Sequence, residues 1–484
     1  LARGEAMASD TGCGLDGRRV RLVAAFADES AEEHLVVLDT STAGPPQKPA
    51  LPGLGRISAL EASPVADTVA VANHRHELFR VDLPAAGRPT ALRLDRSPYG
   101  PIADLAWSPD GRWLAYTLPT GPQTSTVKLA DLVTGLTHQV TDPVLRDHSP
   151  CFDPKGRYLY FIGQRRLSSK PDQVAFGHGF RNASHPYVVT LHNEQPSPFV
   201  FRPGSPDLRA EAPESTAPEG HPRVDLDGIT GRVAAFPVPP GDYLQVLGTP
   251  SGVLLFAADP GCDNGRLNRF DLAELELTEF LDDVSDPRTD TAGAVLLCRS
   301  GGRLRVVTSE REENEAGPDD SGEPGRGSGW IDLGRIQVPV RPQAEWRQMF
   351  REAWRLQRDY FWDAGMSGVD WDALYQHYLP LLDRVGSRAE LSDVLWELQG
   401  ELGTSHAYEF GGDYARGDLP GQGFLGVDWA PAPAWVPDRR GANGGPSTLA
   451  TTVPVRRLGV DVRAGDRVTA VDGYPVGLRG RGRC

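Results

Sequence analysis

One histidine in this chain is well placed for proton transfer. His406 stands in ELGTSHAYEF, where a helical pattern gives way to a strand-like one, so a helix could hold the imidazole rigidly at the edge of a cleft. An unperturbed pKa of about 6.5 suits a general base at working pH. Ser405 precedes it. Successive side chains of extended backbone point to opposite faces, so this hydroxyl reads as an orienting group rather than the nucleophile of its own neighbour. His74 and His76 form an H-x-H pair that would share a face on a strand and could begin a metal site, but no third ligand is evident.

Other chemistries lack their motifs. There is no G-x-S-x-G elbow, no H-E-x-x-H and no phosphate-binding G-x-x-x-x-G-K. GQGFLG at 421–426 has dinucleotide-type glycine spacing, but no β-run precedes it and a strand, not a helix, follows. No cofactor and no metal are therefore expected. Lysine occurs only at positions 48, 128, 155 and 170, which removes Ser-Lys catalysis from the second half of the chain.

Helical periodicity surrounds the candidate base. Trp346, Met349, Phe350, Ala353, Trp354 and Phe361 form one apolar stripe with charges opposite. Asp370 is placed to cap a second helix that turns Trp371, Leu374, Tyr375 and Tyr378 inward until Pro380 kinks or ends it. Ser387 and Glu390 have capping-box spacing ahead of Leu391, Val394, Leu395, Leu398 and Leu402. Gly403 then sits where a left-handed helix terminus is wanted, so the third helix stops just before Thr404, Ser405 and His406.

The first ~335 residues are punctuated by Gly, Pro and Asp every ten or so positions, as in all-β arrays. DLAWSPDGRWLAYT (104–117) is echoed by DHSPCFDPKGRYLYFI (147–162), and Pro64, Pro109 and Pro154 stand 45 residues apart. Gly156 and Gly252 are 96 residues apart, room for two units, and Gly293 follows 41 residues later. Such a period indicates four-stranded propeller blades, about seven of them. SEREENEAGPDDSGEPGRGSG (309–329) is almost devoid of apolar residues and reads as a linker or exposed loop. Farther on, GVDVRAGDRVTAVDGYPV (459–476) orders a turn, a buried strand and a tight Asp472-Gly473 hairpin.

The chain has 484 residues and a formal charge of −15, which opposes a large nucleic-acid surface. Five scattered cysteines without C-x-x-C spacing fit a reducing, cytoplasmic compartment. No signal peptide or membrane-length apolar run is apparent. The chain begins with Leu, and its arginine-rich end, GLRGRGRC, looks like a truncation or a shifted frame.

Taken in order, the blades with DLDGITGRVAAFPVP (225–239), the acidic linker, EWRQMFREAWRLQRDYFWDAGMSGVDWDALY (345–375), the Ser405-His406 pair and GDRVTAVDGYPV resemble the tricorn protease family. The resemblance implies a mainly β fold: a seven-bladed β-propeller over 1–308, the linker 309–329, a small helical catalytic half-domain over 330–415 and an incomplete PDZ-like β-domain over 416–484. It implies a serine-type peptidase that degrades oligopeptides downstream of the proteasome. His406 would be the general base and Ser405 its companion hydroxyl. The nucleophilic serine and a glutamate would belong to a second half-domain, so the chain alone would be inactive. A hexamer-like homo-oligomer is implied as well. A non-enzymatic peptide-binding scaffold of propeller and PDZ-like module is the alternative.

Overall fold

The computed structural model describes residues 8–11, 21–27, 33–40, 45–165, 170–171, 178–179, 183–199, 222–258, 264–310, 322–337, 339–412, 427–430, 436–440, 470–471 and 474–475. The chain divides into two compact units, Leu1–Ala407 and Tyr408–Cys484.

Short antiparallel sheets follow one another along the first unit. The first joins Ala8–Thr11, Arg21–Ala27 and Glu33–Asp39, and Gln47 bridges to Val37 at its outer edge. The second runs Ile57–Ala62, Thr68–Asn73, Glu77–Asp82 and Thr90–Arg96. The third spans Ala103–Trp107 to Leu136–Gln139, and the fourth spans Asp147–Phe152 to Val233–Ala235. The fifth and sixth share one bent strand, Leu277–Thr289. It closes the sheet begun by Tyr243–Gly248 and opens the one completed by Val295–Ser300 and Arg303–Thr308.

Burial explains why these sheets stack. Thr68–Asn73 and Tyr158–Gly163 are buried at every position, because a sheet between two neighbours must be apolar on both faces. The apolar clusters fall between successive sheets. Val37 shares a cluster with Val69 and Val71, Ala72 with Tyr116, Val127 with Phe161, Tyr160 with Val246 and Phe256 with Leu296. Trp113 and Tyr158, just after their turns, enter these clusters. At the first of those turns Ser108 Oγ bonds Asp110 at 2.6 Å and accepts the Trp113 N–H at 2.9 Å. Gly111 there has φ +68°, and an added Cβ would stand 2.5 Å from a Val65 methyl of the preceding sheet.

The result is a β-propeller. Counting the bent six-stranded sheet as two blades, the described residues carry six. The spacing argument for seven placed two units between Gly156 and Gly252. Among the described residues that interval carries the fourth sheet, in which Tyr158–Gly163, His185–Thr190 and Val233–Ala235 pair in turn, and a short hairpin of Lys170–Pro171 with His178–Gly179. The DLDGITGR motif brings the chain back. Arg232 donates to the carbonyls of Thr190 at 2.9 Å and Leu191 at 3.3 Å, and also to that of Asp225. This clamp seats the last strand of the fourth sheet.

The described part of the acidic segment also returns to the propeller. Val306 N–H donates to Gly329 O at 2.9 Å and Ile331 N–H to Leu304 O at 3.0 Å, while Arg303 and Arg305 stack on Trp330. Residues 311–321 lie outside the described residues.

Three α-helices follow: α1 (Pro342–Tyr360), α2 (Trp371–Tyr378) and α3 (Arg388–Gly400). Asp370 caps α2 by accepting the Ala373 N–H at 3.0 Å, and the chain tightens into a 3-10 turn at Leu379–Arg384, where Pro380 stands. Phe350, Trp371, Tyr375, Leu382, Leu391, Leu395 and Leu398 form the shared core, with Trp346, Met349, Ala353, Trp354 and Phe361 packed against it. Each indole of Trp354 and Trp371 donates to the other residue's carbonyl at 2.9 Å, which clamps α1 to α2.

The charged face of α1 meets the propeller. Arg355, with a side chain only 5% exposed, pairs with Glu352 at 2.9 Å and with Glu33 of the first sheet at 3.1 Å. Arg56, just before the second sheet, reaches Glu352 at 3.4 Å and Glu33 at 3.5 Å.

In the second unit two hairpins are described. Val427–Ala430 pairs with Val436–Arg440, and Ala470–Val471 pairs with Tyr474–Pro475. Val471 pairs with Tyr474, and the expected Asp472-Gly473 turn lies outside the described residues. Most of 416–484, and with it the rest of the PDZ-like expectation, lies outside the described residues.

The helical core yields a direct check. Phe350 is fully buried, so Phe350→Ala is expected to lower stability by about 3–5 kcal/mol. The urea midpoint followed by tryptophan fluorescence reads this out, and an unchanged midpoint would refute the packing described.

Candidate functional site

The segment that presents Ser405 and His406 is built by α3. At its start Ser387 Oγ accepts the Glu390 N–H at 3.3 Å. The returning bond differs from a standard capping box: Glu390 accepts from Gly386 N–H at 2.8 Å, one residue earlier than Ser387. Leu391, Leu395, Leu398 and Leu402 anchor the helix and its exit in the core.

The exit is tight. Leu402 N–H donates to Gln399 O at 3.2 Å and Gly403 N–H to Gly400 O at 3.0 Å. Tyr378 OH bonds Glu401 at 2.8 Å, which ties the last turn to α2. Burial pushes the Tyr378 phenol up to about 12, helped by the Glu401 and Glu397 carboxylates. Gly403 has φ +59°, and an added Cβ would meet nothing within 4 Å. The backbone angle, not lack of space, is what calls for glycine there.

Beyond that turn Thr404, Ser405 and His406 are exposed. His406 has φ +65°, a left-handed conformation that a non-glycine residue adopts at a cost of order 1 kcal/mol. The backbone is thus not extended at His406, so strand-like alternation does not describe how Ser405 and His406 project. What the geometry offers is an imidazole open to solvent, one short loop away from a packed helix.

The H-x-H pair is not on a strand. His74 and His76 occupy the turn between Thr68–Asn73 and Glu77–Asp82, and His76 has φ +62°. His74 Nδ1 accepts the Arg56 N–H at 2.9 Å. No group of three metal-ligating side chains occurs among the described residues.

Sequence reasoning passed over two perturbed groups on the propeller's first strands, which lie against one another from sheet to sheet. Burial pushes the Glu61 carboxyl up to about 7, against the pull of Arg288. Burial likewise pushes the Cys151 thiol up to about 11, although its sulfur accepts the Gly248 N–H at 3.3 Å. Neither stands in a motif, so only packing reveals them. No helix among the described residues is long and apolar enough to cross a membrane.

Comparison with known proteins supplies the frame for this geometry. Residues 13–310 match the tricorn protease second beta propeller domain, and residues 342–400 match the tricorn protease C1 domain. Tricorn protease homolog 1 of Streptomyces coelicolor is 35% identical over 444 residues, covering 87% of this chain and 40% of that protein. The tricorn protease homolog of Saccharolobus solfataricus is 32% identical, covering 86% and 38%. The crystal structure of the tricorn protease superposes with a TM-score of 0.69 at 24% identity, over 94% of this chain and 43% of that one. The chain thus spans less than half the length of these relatives. A β-propeller and a C1 helical module, matched in that order, establish that the chain belongs to the tricorn protease family.

Proposed function

We propose that residues 1–484 supply the base-bearing half of a serine-type peptidase that degrades oligopeptides. His406 is the general base in this reading, and Ser405 the hydroxyl that orients it. The observation that carries it is the exposed His406, held one short loop beyond α3 in a module whose helices match the C1 domain.

The chemistry needs more groups than these. A serine hydroxyl attacks the scissile carbonyl as the imidazole removes its proton. The imidazolium then returns that proton to the leaving amine, while preorganised N–H donors hold the oxyanion. We place the nucleophilic serine, the glutamate and the oxyanion donors in a further half-domain outside residues 1–484, so that this span alone does not turn over peptides. In the same reading 1–308 form the propeller, 309–329 the linker, 330–415 the helical half-domain and 416–484 a PDZ-like domain. The assembled protein is a hexamer-like homo-oligomer of the cytoplasm that takes peptides released by the proteasome.

In the complete protein His406→Ala should lower kcat/KM for oligopeptides by about 10²–10⁴-fold while the circular dichroism stays unchanged. Undiminished turnover would remove the assignment. Gly403→Ala should cost about 1 kcal/mol from its left-handed backbone and reduce kcat more than it raises KM, because it displaces the base rather than the substrate. Wild-type kinetics in that variant would separate His406's placement from the Gly403 turn.

A further inference from the structure

The charge cluster that joins α1 to the propeller ends on a titratable residue. Arg56 is held from behind by His74 through two hydrogen bonds. His74 N–H donates to Arg56 O at 2.9 Å, and Arg56 N–H donates to His74 Nδ1 at 2.9 Å. On its other side the Arg56 guanidinium reaches Glu33 and Glu352, the partners of Arg355. The His74 ring also stands edge-on to Tyr360 at the end of α1, with centroids 5.9 Å apart.

The turn that carries His74 is fixed. Asn73 is fully buried, donates to Leu54 O at 2.6 Å and to Glu77 at 3.0 Å, and accepts the N–H groups of Arg75 and Glu77 at 3.0 Å. Gly55 leaves room for the ring, since a Cβ there would stand 2.8 Å from His74 Cε1.

We propose that His74 is a proton-operated latch between the propeller and the helical module: neutral, it locks Arg56 into the cluster that docks α1, and protonated it releases that cluster. A proton on Nδ1 turns the ring nitrogen from acceptor to donor and leaves the Arg56 N–H without its partner. It also adds a positive charge beside Arg56 and Arg75. Burial holds the His74 imidazole below its ordinary value of 6.5. The Asp359 carboxylate on α1 and Glu33 oppose this, while Arg75 adds to the lowering. Because the imidazole in the folded arrangement lies below its ordinary value of 6.5, the stability that this arrangement draws from neutral His74 is fully present above pH 6.5 and is lost as pH falls through the lowered value. The latch does not depend on the peptidase reading. If both hold, acid frees the module that carries His406.

Hydrogen–deuterium exchange of the full chain, corrected for intrinsic rate, tests this on peptides of α1 between pH 7.5 and 4. Wild-type protection should drop at least about fivefold, with a midpoint below 6.5 and above the ordinary carboxylate range near 4. His74→Asn offers an amide oxygen at the Nδ1 position that does not titrate, so this variant should keep its protection through that midpoint. Wild-type protection that does not change with pH, a midpoint near 4, or the same acid loss in His74→Asn would each overturn the latch. If the variant leaves α1 undocked at every pH, the wild-type midpoint decides.

Discussion

The structure of the first unit turns on one buried cation. Arg355 lies on the helical module, yet its guanidinium is answered by Glu33 of the propeller's first sheet as well as by Glu352 of its own helix. Burial works against the Arg355 charge, but Glu352 and Glu33 more than offset it and hold its pKa above the usual value. A buried pair of this kind adds little over an apolar contact, whereas removing one partner strands a charge and costs about 3–5 kcal/mol. The cluster therefore specifies where α1 sits more than it strengthens the fold. Since α1 shares its core with α3, the loop that carries Ser405 and His406 inherits that placement.

The propeller supplies the fixed end of this arrangement. Its sheets are held by apolar layers between neighbours, and its turns by short side chains such as Ser108 and Asp110 that satisfy the backbone locally. Glu33, Arg56 and His74 all sit at strand ends or in turns. Such positions can carry charge and titrate without disturbing the layers beneath them.

Much of this was legible in the residues. The α1 stripe from Trp346 to Phe361, the Asp370 and Ser387 caps and the left-handed Gly403 are local features, set by periodicity and by backbone groups that need partners within a few residues. The spacing from Gly156 to Gly252 does not show which strands pair, and it is the register that brings Val233–Ala235 back to the edge of His185–Thr190. The charges opposite the α1 stripe carry no local sign of what covers them. Arg355 is buried because the propeller covers it, a contact across more than 300 residues that no periodicity encodes. The left-handed φ of His406 was equally invisible, since histidine carries none of glycine's signal for that conformation.

In the function proposed above, residues 1–484 hold a peptidase base without its nucleophile. Mass spectrometry of a mixture of unfolded oligopeptides tests it most directly, with this chain incubated alone and, in parallel, the longer protein that contains it. The peptides should stay intact with this chain and be cut by the longer protein. Cleavage by residues 1–484 alone, or intact peptides in both reactions, would contradict it.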